Sequence, residues 1–408
     1  MPSLSIVPYL PFGRVRITNQ ELIPGMESAV ISVVPDRRCA PVCSGCEESV
    51  RSLHSKSMRW VRDLKFGAHE VLLEVTQRRL RCPTCQGIRT ERLDFVAPHS
   101  RVTNRLAHYI AGLCRMMSVA DVARHLGLDW KLVKACDKAV LEEAFGETDV
   151  TGLRLLAVDE IAIRKKHHYM TVVLDYETGR VVWMGEGRRF ETLAEFFELL
   201  TPEECGKIEA VAMDMWPAYE KAVRAYLPKA RIIYDLFHIV ASYNLDVLDK
   251  VRVAAYRKVA KDKDEEKRKF IKGTRYLLYK NEENLTASDR LRLDDLLKAN
   301  EAISTAHVLK EQLKEIWTTR SPWAARRALR HWCSLAIASG LPPLIRFAAK
   351  LRRRERGIIA HACYPIHTSR LEGVNNRIKV IKRTAYGFHD PSYFTLKVKQ
   401  AFPGSTCT

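Results

Sequence analysis

Apolar residues follow a strand-like pattern near the N-terminus and a helical pattern after it. Three runs of β-branched and alternating apolar residues predict strands: SAVISVV, MRWVRDLKF and EVLLEVTQRRLRC. From Val102 to about Glu147, apolar residues recur at three- and four-residue spacing, which is typical of helices. We therefore expect N-terminal strands over residues 1–38, a second strand-rich segment over 39–98 and a helical domain over 99–150.

A second strand pattern begins at Leu153. Five short apolar runs predict strands: LRLLAVDE, HHYMTVVLDY, GRVVWMGEG, IEAVAMDMW and ARIIYDLFH. The turn ETGR joins the second and third runs, and the amphipathic helices FETLAEFFELL and PAYEKAVRAYL lie between later ones. Hairpins followed by β-α-β alternation predict an α/β domain with a mixed sheet and packed helices over residues 151–238.

The chain from about Ile239 to Gly357 shows a helical and highly charged pattern, with no strand or repeat. Its charge runs are typical of solvated helix faces, although the arginine run Arg352–Arg354 is suited to binding phosphates. A further helix begins near Ser369 and carries an apolar stripe on one face. We expect a helical insertion domain over residues 239–360 and a return to the α/β domain over 361–400.

Composition and charge indicate the class of partner. The 408 residues have a formal net charge of +19 in a chain that is 47% hydrophobic, which indicates a folded protein with a polyanionic partner, double-stranded DNA first. No apolar stretch approaches the ~20 residues of a membrane-spanning helix. The start of the chain has no basic segment typical of a signal peptide. We therefore expect no membrane partner and a cytoplasmic location, where the 11 cysteines stay reduced.

Paired cysteines flank two of the predicted N-terminal strands. They form two CxxC knuckles, at Cys43 and Cys46 and at Cys82 and Cys85. A hairpin that brought the knuckles together would supply four thiolates for a tetrahedral structural zinc ion. Cys39 and His54 are rival ligands, and the knuckles are further apart in sequence than in a usual zinc ribbon. The sequence thus predicts a zinc ribbon over residues 39–98.

Residues 118–140, SVADVARHLGLDWKLVKACDKAV, predict a helix-turn-helix. Ala123 is small where two helices would touch, Gly127 permits the turn, and Val133 faces back to the first helix. The second helix would expose three basic residues that we expect to contact DNA: Lys131, Lys134 and Lys138. Helix pairs are common in any helical core, and the DNA-binding interpretation depends on the basic charge and the neighbouring zinc knuckles.

Three of the predicted strands in the α/β domain end in an aspartate: Asp159, Asp214 and Asp235. The carboxyl ends of strands are where α/β sheets place their sites. Asp159 and Asp214 on neighbouring strands would repel each other without a cation between them, and oxygen-only ligands suit Mg²⁺. A third carboxylate would allow two metal ions about 4 Å apart, one activating the attacking oxygen and one stabilising the leaving oxygen. Glu372 is the candidate.

Alternatives remain at each of these positions. Ser369 and Glu372 also match a capping box, in which the glutamate only stabilises the start of a helix. Asp235, with His238 one helical turn further on, is the alternative for the second carboxylate. Glu160 would point to the opposite face of its strand from the metal. On the Glu372 face of the helix, we expect three residues to contact DNA phosphates: Asn376, Lys379 and Arg383.

The order of the motifs is similar to that of a known family. The motifs are AVDEIAIRKKHHY, AMDMWPAY, YDLFHIV and TSRLEGVNNRIKVIKRTAYGF. Preceded by zinc knuckles and a helix-turn-helix, they resemble the DDE transposases of bacterial insertion sequences, specifically the ISL-three family, from about Cys39 to about Phe394. The resemblance implies a ribonuclease-H-like core with a long helical insertion, and it carries the catalytic triad onto Asp159, Asp214 and Glu372. The CxxxCxxC cluster that begins at Cys39 departs from the family pattern and leaves the zinc ligands open.

The resemblance also implies an activity. The protein would bind the terminal inverted repeats of its element, cut the DNA with two Mg²⁺ ions, or Mn²⁺ as the alternative, and join the ends to target DNA. We expect a homo-oligomer on DNA. Two other functions fit the same modules: a transposase-derived DNA-binding regulator and a ribonuclease-H-like, structure-specific nuclease. The intact triad disfavours the regulator, and the two N-terminal DNA-binding modules disfavour the nuclease.

Overall fold

A computed structural model of the protein describes residues 10–23, 25, 27–164, 168–261, 265–364, 366, 369–385 and 388–404, without the side chains of residues 164, 267, 282 and 369–371. The chain forms two compact units, Met1–Gly146 and Glu147–Thr408. The boundary lies close to the expected start of the α/β domain. Across the described ranges, no helix has the length and apolar character needed to cross a membrane.

The N-terminal unit contains a five-stranded sheet. Its strands are β1 Val15–Ile23, β2 Ser28–Pro35, β3 Leu53–Phe66, β4 His69–Cys82 and β5 Gly87–Thr90. The order is β1-β2-β4-β3, with β5 also paired to β4, and only β2 and β4 are parallel. The sequence predicts the two strands before Cys39 as a segment of their own. Instead, main-chain pairing of β2 with β4 makes them part of the same sheet as the strands between the cysteine knuckles.

Three helices complete this unit. They are α1 Asn104–Leu113, α2 Val119–Leu126 and α3 Trp130–Phe145. Ser118 caps the start of α2, and Gly127 ends α2 in the left-handed conformation, with a φ of 61° that favours glycine. Ala123 of α2 and Val133 of α3 are buried in one apolar cluster. The predicted helix-turn-helix is therefore confirmed, with its turn at the predicted glycine.

Two neighbouring residues of β3 fasten these helices to the sheet. Asp63 is 1% exposed and accepts hydrogen bonds from Thr103 Oγ1 at 2.7 Å and Arg105 Nε at 2.7 Å, at the start of α1. Arg62 donates from Nη2 to the carbonyl oxygen of Leu126 at 2.7 Å, at the end of α2. The positive guanidinium also interacts favourably with the negative, C-terminal end of the helix dipole. Sheet and helices thus pack as one unit.

The C-terminal unit is built on a second five-stranded sheet. Its strands are β6 Leu155–Arg164, β7 His168–Asp175, β8 Val181–Glu186, β9 Ala210–Met213 and β10 Arg231–Tyr234. The order is β10-β9-β6-β7-β8, with β6, β7 and β8 antiparallel and with β9 and β10 parallel to β6. Between β8 and β10 the chain forms α4 Phe190–Phe197, α5 Pro202–Lys207 and α6 Pro217–Tyr226. The predicted mixed sheet is confirmed.

A helical domain follows β10. Its helices are α7 Leu236–Tyr243, α8 Asp249–Lys261, α9 Glu265–Ile271, α10 Arg275–Tyr279, α11 Ala287–Ala299, α12 Glu301–Glu315, α13 Pro322–Ala338, α14 Pro342–Arg352 and α15 Glu355–Ile359. A π-helical stretch, Asn244–Leu248, joins α7 to α8. Tyr243, Trp332 and Phe347 meet edge to face within its apolar core. The described residues here contain no strand, as the sequence predicts.

The chain returns from this insertion to the sheet at α15. Gly357 lies so close to β10 that a Cβ atom would be 2.4 Å from Tyr234 Cε2 and 3.0 Å from the carbonyl oxygen of Ile232. Just before α15, Arg354 Nε donates to Glu220 Oε1 of α6 at 2.7 Å. These contacts determine where the chain leaves the insertion and begins its last two helices.

The last helices, α16 Ser369–Thr384 and α17 Pro391–Ala401, cover one face of the second sheet. Ala157 of β6 and Ala212 of β9 pack on this face, together with Val374 and Ile378 of α16. The alternate residues of the strands, such as Val158, pack against α4 and α6 on the other face. Period-two alternation therefore decides which helix each strand residue meets.

Gly357→Ala should lower the free energy of unfolding by about 2 kcal/mol, because its methyl group would overlap the Tyr234 ring and the Ile232 carbonyl oxygen. Gly206 of α5 is the matched control, since a Cβ atom there meets nothing within 4 Å. Gly206→Ala should be neutral or stabilising by up to about 1 kcal/mol. Urea unfolding of the two variants measures the difference. Equal free energies of unfolding would show that α15 can shift away from β10 without loss of stability.

Candidate functional site

Four cysteine sulfurs converge beside the first sheet. The Sγ atoms of Cys43, Cys46, Cys82 and Cys85 all lie within 4.8 Å of one another. The Cys43–Cys85 pair is 3.8 Å apart and the Cys46–Cys82 pair 3.4 Å apart. Thiolates around a tetrahedral zinc ion, each at about 2.3 Å, lie about 3.8 Å from one another. The cluster therefore fits zinc, and the rival ligands Cys39 and His54 are not part of it.

The backbone around the cysteines favours the thiolate form. The N–H of Gly45 points at Cys43 Sγ at 3.4 Å, and the N–H of Cys85 points at Cys82 Sγ at 3.4 Å. Burial opposes ionisation of Cys43, but the backbone N–H groups of Cys46 and Gly45 lower the pKa of this thiol to about 7. The thiolate is the form that binds a metal, so these backbone groups favour zinc binding at Cys43. Cys46 differs, because a backbone N–H lowers its pKa but burial and the neighbouring thiols together raise it to about 12.

The second helix of the helix-turn-helix, α3, presents a basic surface. Lys131 is exposed, and its Nζ lies 5.9 Å from the ring centroid of the exposed Trp130. Lys134 and Lys138 are half-buried, and Lys138 Nζ lies 3.9 Å from Glu142 Oε1. Lys131 and Trp130 at the start of α3 are thus the most accessible part of the predicted DNA-binding face.

Asp159 lies in the middle of β6, and Asp214 directly follows the end of the neighbouring strand β9. The prediction that the first strand ends at Asp159 is therefore wrong, because pairing with β7 extends β6 to Arg164. Strands β6 and β9 are parallel with Ala157 opposite Ala212, so the same register two residues later places Asp214 beside Asp159. Neighbouring strands are about 5 Å apart. Both aspartates project to the face covered by α16, because they alternate with residues that pack on the other face. The structure brings together the pair that the sequence predicted.

The Asp214 carboxyl is buried among charged groups. Burial raises its pKa above the ordinary value, His238 lowers it, and the nearby charge of Asp159 raises it again. Lys350 of α14 also lowers this pKa, although its Nζ is paired with Asp246 Oδ2 at 3.3 Å. Among the described residues, Asp214 Oδ1 is buried with no hydrogen-bond partner. A cation would satisfy such an oxygen, and the carboxylate chemistry of the pair suits one.

Helix α16 is held against β6 by two hydrogen bonds. Asn375 Nδ2 donates to Asp159 Oδ2, and Lys382 Nζ donates to the carbonyl oxygen of Ala162 at 3.1 Å. Glu372 is exposed and lies one helical turn before Asn375. The helix therefore places Glu372 on the same side of the sheet as the two aspartates, one turn from a residue that touches Asp159.

The three carboxylates are not gathered as tightly as the cysteines. Within the described part of the chain, the four cysteines are the only group of three or more His, Cys, Asp or Glu ligands whose atoms lie within 4.8 Å. Three carboxylates repel one another, and only a cation between them favours a closer approach. The capping-box alternative for Glu372 depends on the side chain of Ser369, which lies outside the described residues.

Asp235, the alternative second carboxylate, begins a helix. Its side chain accepts a hydrogen bond from the backbone N–H of Phe237 at 2.7 Å, as the N-cap of α7. Its Oδ2 also lies 3.6 Å from His238 Nε2. Because this carboxylate already stabilises the first turn of α7, Asp214 is the better candidate for a metal ligand.

Glu160 points away from Asp159, as predicted from alternation along the strand. Its Oε1 lies 3.0 Å from Arg188 Nη1; burial raises the pKa of Glu160, and Arg188 lowers it. The Arg188 guanidinium lies 4.2 Å from the ring centroid of Tyr169 and 4.6 Å from that of Trp216. Tyr169, Arg188 and Trp216 line an open cavity of about 1030 Å³. Sequence reasoning missed this cluster, for which the adjacent motifs GEGRRF and MDMWPAY were the available signal.

The remaining predicted phosphate contacts differ in their exposure. Three of them lie exposed along one strip of α16: Asn376, Lys379 and Arg383. In the arginine run, Arg352 and Arg353 are exposed, whereas the Arg354 side chain is 14% exposed and paired with Glu220. The prediction that the whole run is suited to phosphates is therefore wrong for Arg354, because an internal carboxylate already neutralises it.

Family models match three consecutive parts of the chain. Residues 40–85 match the zinc-finger of transposase IS204/IS1001/IS1096/IS1165, and residues 91–140 match the helix-turn-helix domain of transposase family ISL3. Residues 156–398, more than half of the chain, match the transposase model of the same family. The zinc-finger match and the four-cysteine cluster together support a structural zinc ion.

Curated relatives extend over most of the chain. It is 43% identical over 364 residues to the transposase for insertion sequence element IS1001 of Bordetella parapertussis, covering 89% of each chain. It is 28% identical over 354 residues to the transposase for insertion sequence element IS1557 of Mycobacterium tuberculosis strain H37Rv, covering 82% of this chain and 79% of the relative. Both similarities extend well beyond any one of the three matched domains.

Cys82→Ser should release zinc and unfold the N-terminal unit, because metal-binding free energy of ~10 kcal/mol or more at such sites is also folding free energy. Cys39→Ser is the matched control and should keep both zinc and fold, since Cys39 lies outside the cluster. Metal analysis and circular dichroism of the purified variants measure both effects. Zinc loss from Cys39→Ser would contradict the ligand set, and a zinc-free parent with a folded N-terminal unit would contradict the site.

Proposed function

Since the chain belongs to the ISL3 family of DDE transposases, we propose that it cuts DNA at the ends of its element and joins those ends to target DNA. Asp159, Asp214 and Glu372 form the proposed metal-binding triad. The observation that carries this assignment is the parallel register of β6 and β9, which sets Asp214 beside Asp159 under the helix that bears Glu372.

The proposed catalytic core is ribonuclease-H-like. Its support is a sheet in which three antiparallel strands, β6 to β8, are extended on the β6 side by the parallel strands β9 and β10. The insertion lies between the second aspartate and Glu372, as the family resemblance implies. We assign residues 151–238 and 361–400 to catalysis, 239–360 to the insertion, and 39–98 and 99–150 to DNA recognition.

The residues of the triad fit Mg²⁺, because they offer only oxygen ligands and include the buried, unpartnered Oδ1 of Asp214. Two bound Mg²⁺ ions, or Mn²⁺ in their place, would activate the attacking oxygen and stabilise the leaving oxygen of a phosphodiester. Asp159 would hold the ions from within β6 and Asp214 from the end of β9, and Glu372 would supply the third carboxylate from α16. Lys350 and His238 offset the negative charge at Asp214.

The reaction needs no side-chain nucleophile. Water attacks the phosphodiester at the element end and releases a 3′-hydroxyl, which then attacks a phosphodiester of the target DNA. The exposed strip of α16 begins one turn from Glu372 and would hold phosphates close to the cut: Asn376, Lys379 and Arg383. The neutral and cationic side chains of this strip suit the DNA backbone.

Recognition of the terminal inverted repeats is assigned to the zinc ribbon and to α3, through Lys131, Lys134 and Lys138. The exposed Trp130 and Lys131 at the start of α3 support this assignment, as the start of a recognition helix usually contacts base edges. A homo-oligomer on DNA would bring two element ends together. The regulator and nuclease alternatives have less support, since the paired aspartates and both DNA-binding modules occur in one chain.

Glu372→Gln should leave DNA-end binding intact and lower strand cleavage and joining at least about a thousandfold, because a charge that balances the metal is lost without a change in shape. Asp159→Asn and Asp214→Asn should act alike. Glu301, exposed in the first turn of α12, is the matched control, and Glu301→Gln should cleave normally. Cleavage of end-containing DNA in Mg²⁺ is the measurement. If Glu372→Gln cleaved DNA at the parental rate, the triad assignment would be wrong and Glu372 would have only a helix-capping role.

Lys131→Ala and Lys134→Ala should weaken binding to element ends. Each lost phosphate contact should reduce the slope of log affinity against log salt by about 0.9, because one fewer counterion is released. Lys258, exposed on α8 of the insertion, provides a control that removes one positive charge elsewhere. Fluorescence anisotropy over a range of salt concentrations gives both quantities. If both variants bound element ends as the parent does, recognition would be assigned to the zinc ribbon instead of α3.

A further inference from the structure

Adjacent asparagines on α16 face different surroundings. Asn376 is exposed, and its Oδ1 lies 3.4 Å from Lys379 Nζ. Asn375 is half-buried, and its Nδ2 donates to Asp159 Oδ2. The pair has identical chemistry at neighbouring positions, and only Asn375 touches a residue of the proposed triad.

The chemistry of the contact determines how the Asn375 amide is oriented. An ionised carboxylate only accepts hydrogen bonds, so it is the NH₂ group of Asn375, and not its Oδ1, that contacts Asp159. This Oδ1 is buried and has no hydrogen-bond partner among the described residues. A buried amide oxygen without a donor is unfavourable, which indicates that a donor belongs there.

The Asp159 carboxylate is held from two sides. Its Oδ1 accepts the backbone N–H of Glu160 at 2.7 Å, and its Oδ2 accepts from Asn375. Asp214, on the neighbouring strand, has an Oδ1 that is likewise buried without a partner among the described residues. Two unsatisfied oxygens, one amide and one carboxylate, therefore belong to the residue that bonds to Asp159 and to the aspartate on the neighbouring strand.

The position of Asn375 is determined by how α16 packs on the sheet. Asn375 bonds to Asp159 and Lys382 to Ala162, so the helix and β6 run in the same direction. The seven residues from Asn375 to Lys382 along the helix and the three from Asp159 to Ala162 along the strand both span about 10 Å. Both hydrogen bonds can therefore form at once. Ile378, with no exposed surface, holds the helix between them.

We propose that Asn375 is a positioning residue of the metal site. Its amide nitrogen orients the Asp159 carboxylate, and its amide oxygen accepts a hydrogen bond from a water molecule bound to the divalent cation that Asp159 and Asp214 hold. This inference rests on the proposed function. Mg²⁺ keeps several of its waters in proteins, and metal-bound waters are hydrogen-bond donors. A neutral amide supplies the acceptor without adding charge to a site that already holds carboxylates.

The test is Mn²⁺ binding to the full-length protein without DNA, measured by electron paramagnetic resonance for four proteins: parent, Asn375→Ala, Asn376→Ala and Asp159→Asn. Asn375→Ala should weaken Mn²⁺ affinity by about 10- to 100-fold, as is usual when a partner of a metal ligand is removed. Asn376→Ala should bind like the parent. Circular dichroism confirms the fold, and Asn375→Gln, which displaces the same groups by one methylene, replaces the alanine variant if that variant does not fold.

The four proteins separate this inference from the proposed function. If Asp159→Asn loses Mn²⁺ while folded Asn375→Ala binds like the parent, the role of Asn375 is overturned and the metal site stands. If neither change affects Mn²⁺ binding, the proposed metal site fails and this inference fails with it. An equal loss in Asn376→Ala and Asn375→Ala would assign the effect to α16 as a whole and overturn the specific role.

Discussion

Parallel pairing of β6 with β9 places two aspartates side by side. Neighbouring groups offset the electrostatic repulsion between their carboxylates. Asp159 is held by a backbone N–H and by Asn375, while the charge on Asp214 is offset by His238 and Lys350. These groups come from a strand, the closing helix and the insertion. Without the common register of the two strands, none of them would act on a shared site.

The insertion is a structural part of this site as well as a separate helical core. Lys350 of α14 lowers the pKa of Asp214, and Arg354 pairs with Glu220 of α6. Gly357 then brings the chain against Tyr234 at a separation that no side chain would permit. A long excursion in sequence therefore ends at a defined place on the sheet, from which α16 crosses to Asp159.

The N-terminal unit needs stabilisation beyond its apolar core, since a small sheet buries little apolar surface for its length. A four-cysteine cluster holds the knuckles at one place, and buried Asp63 joins the sheet to the first helix through Thr103 and Arg105. Arg62 from the same strand binds the end of α2. Zinc ribbon and helix-turn-helix are consequently one folded unit, so a DNA contact made by one module constrains the position of the other.

The sequence by itself determined most of the helices and strands and the two CxxC knuckles, because strand alternation, helical period and cysteine spacing are local properties. For the four-cysteine cluster and the pairing of Asp159 with Asp214, the sequence supplied only a prediction, which tertiary contacts decided. It did not determine that β1 and β2 join the ribbon sheet or that Arg354 is neutralised internally, since both depend on partners distant in sequence. The rotation of α16 is the sharpest case. Helical period groups Glu372 with Asn376, but packing of Ile378 against the sheet turns Asn375 towards Asp159. A periodic pattern defines which residues share a face of a helix, and only tertiary packing decides the angle at which that face meets its neighbour.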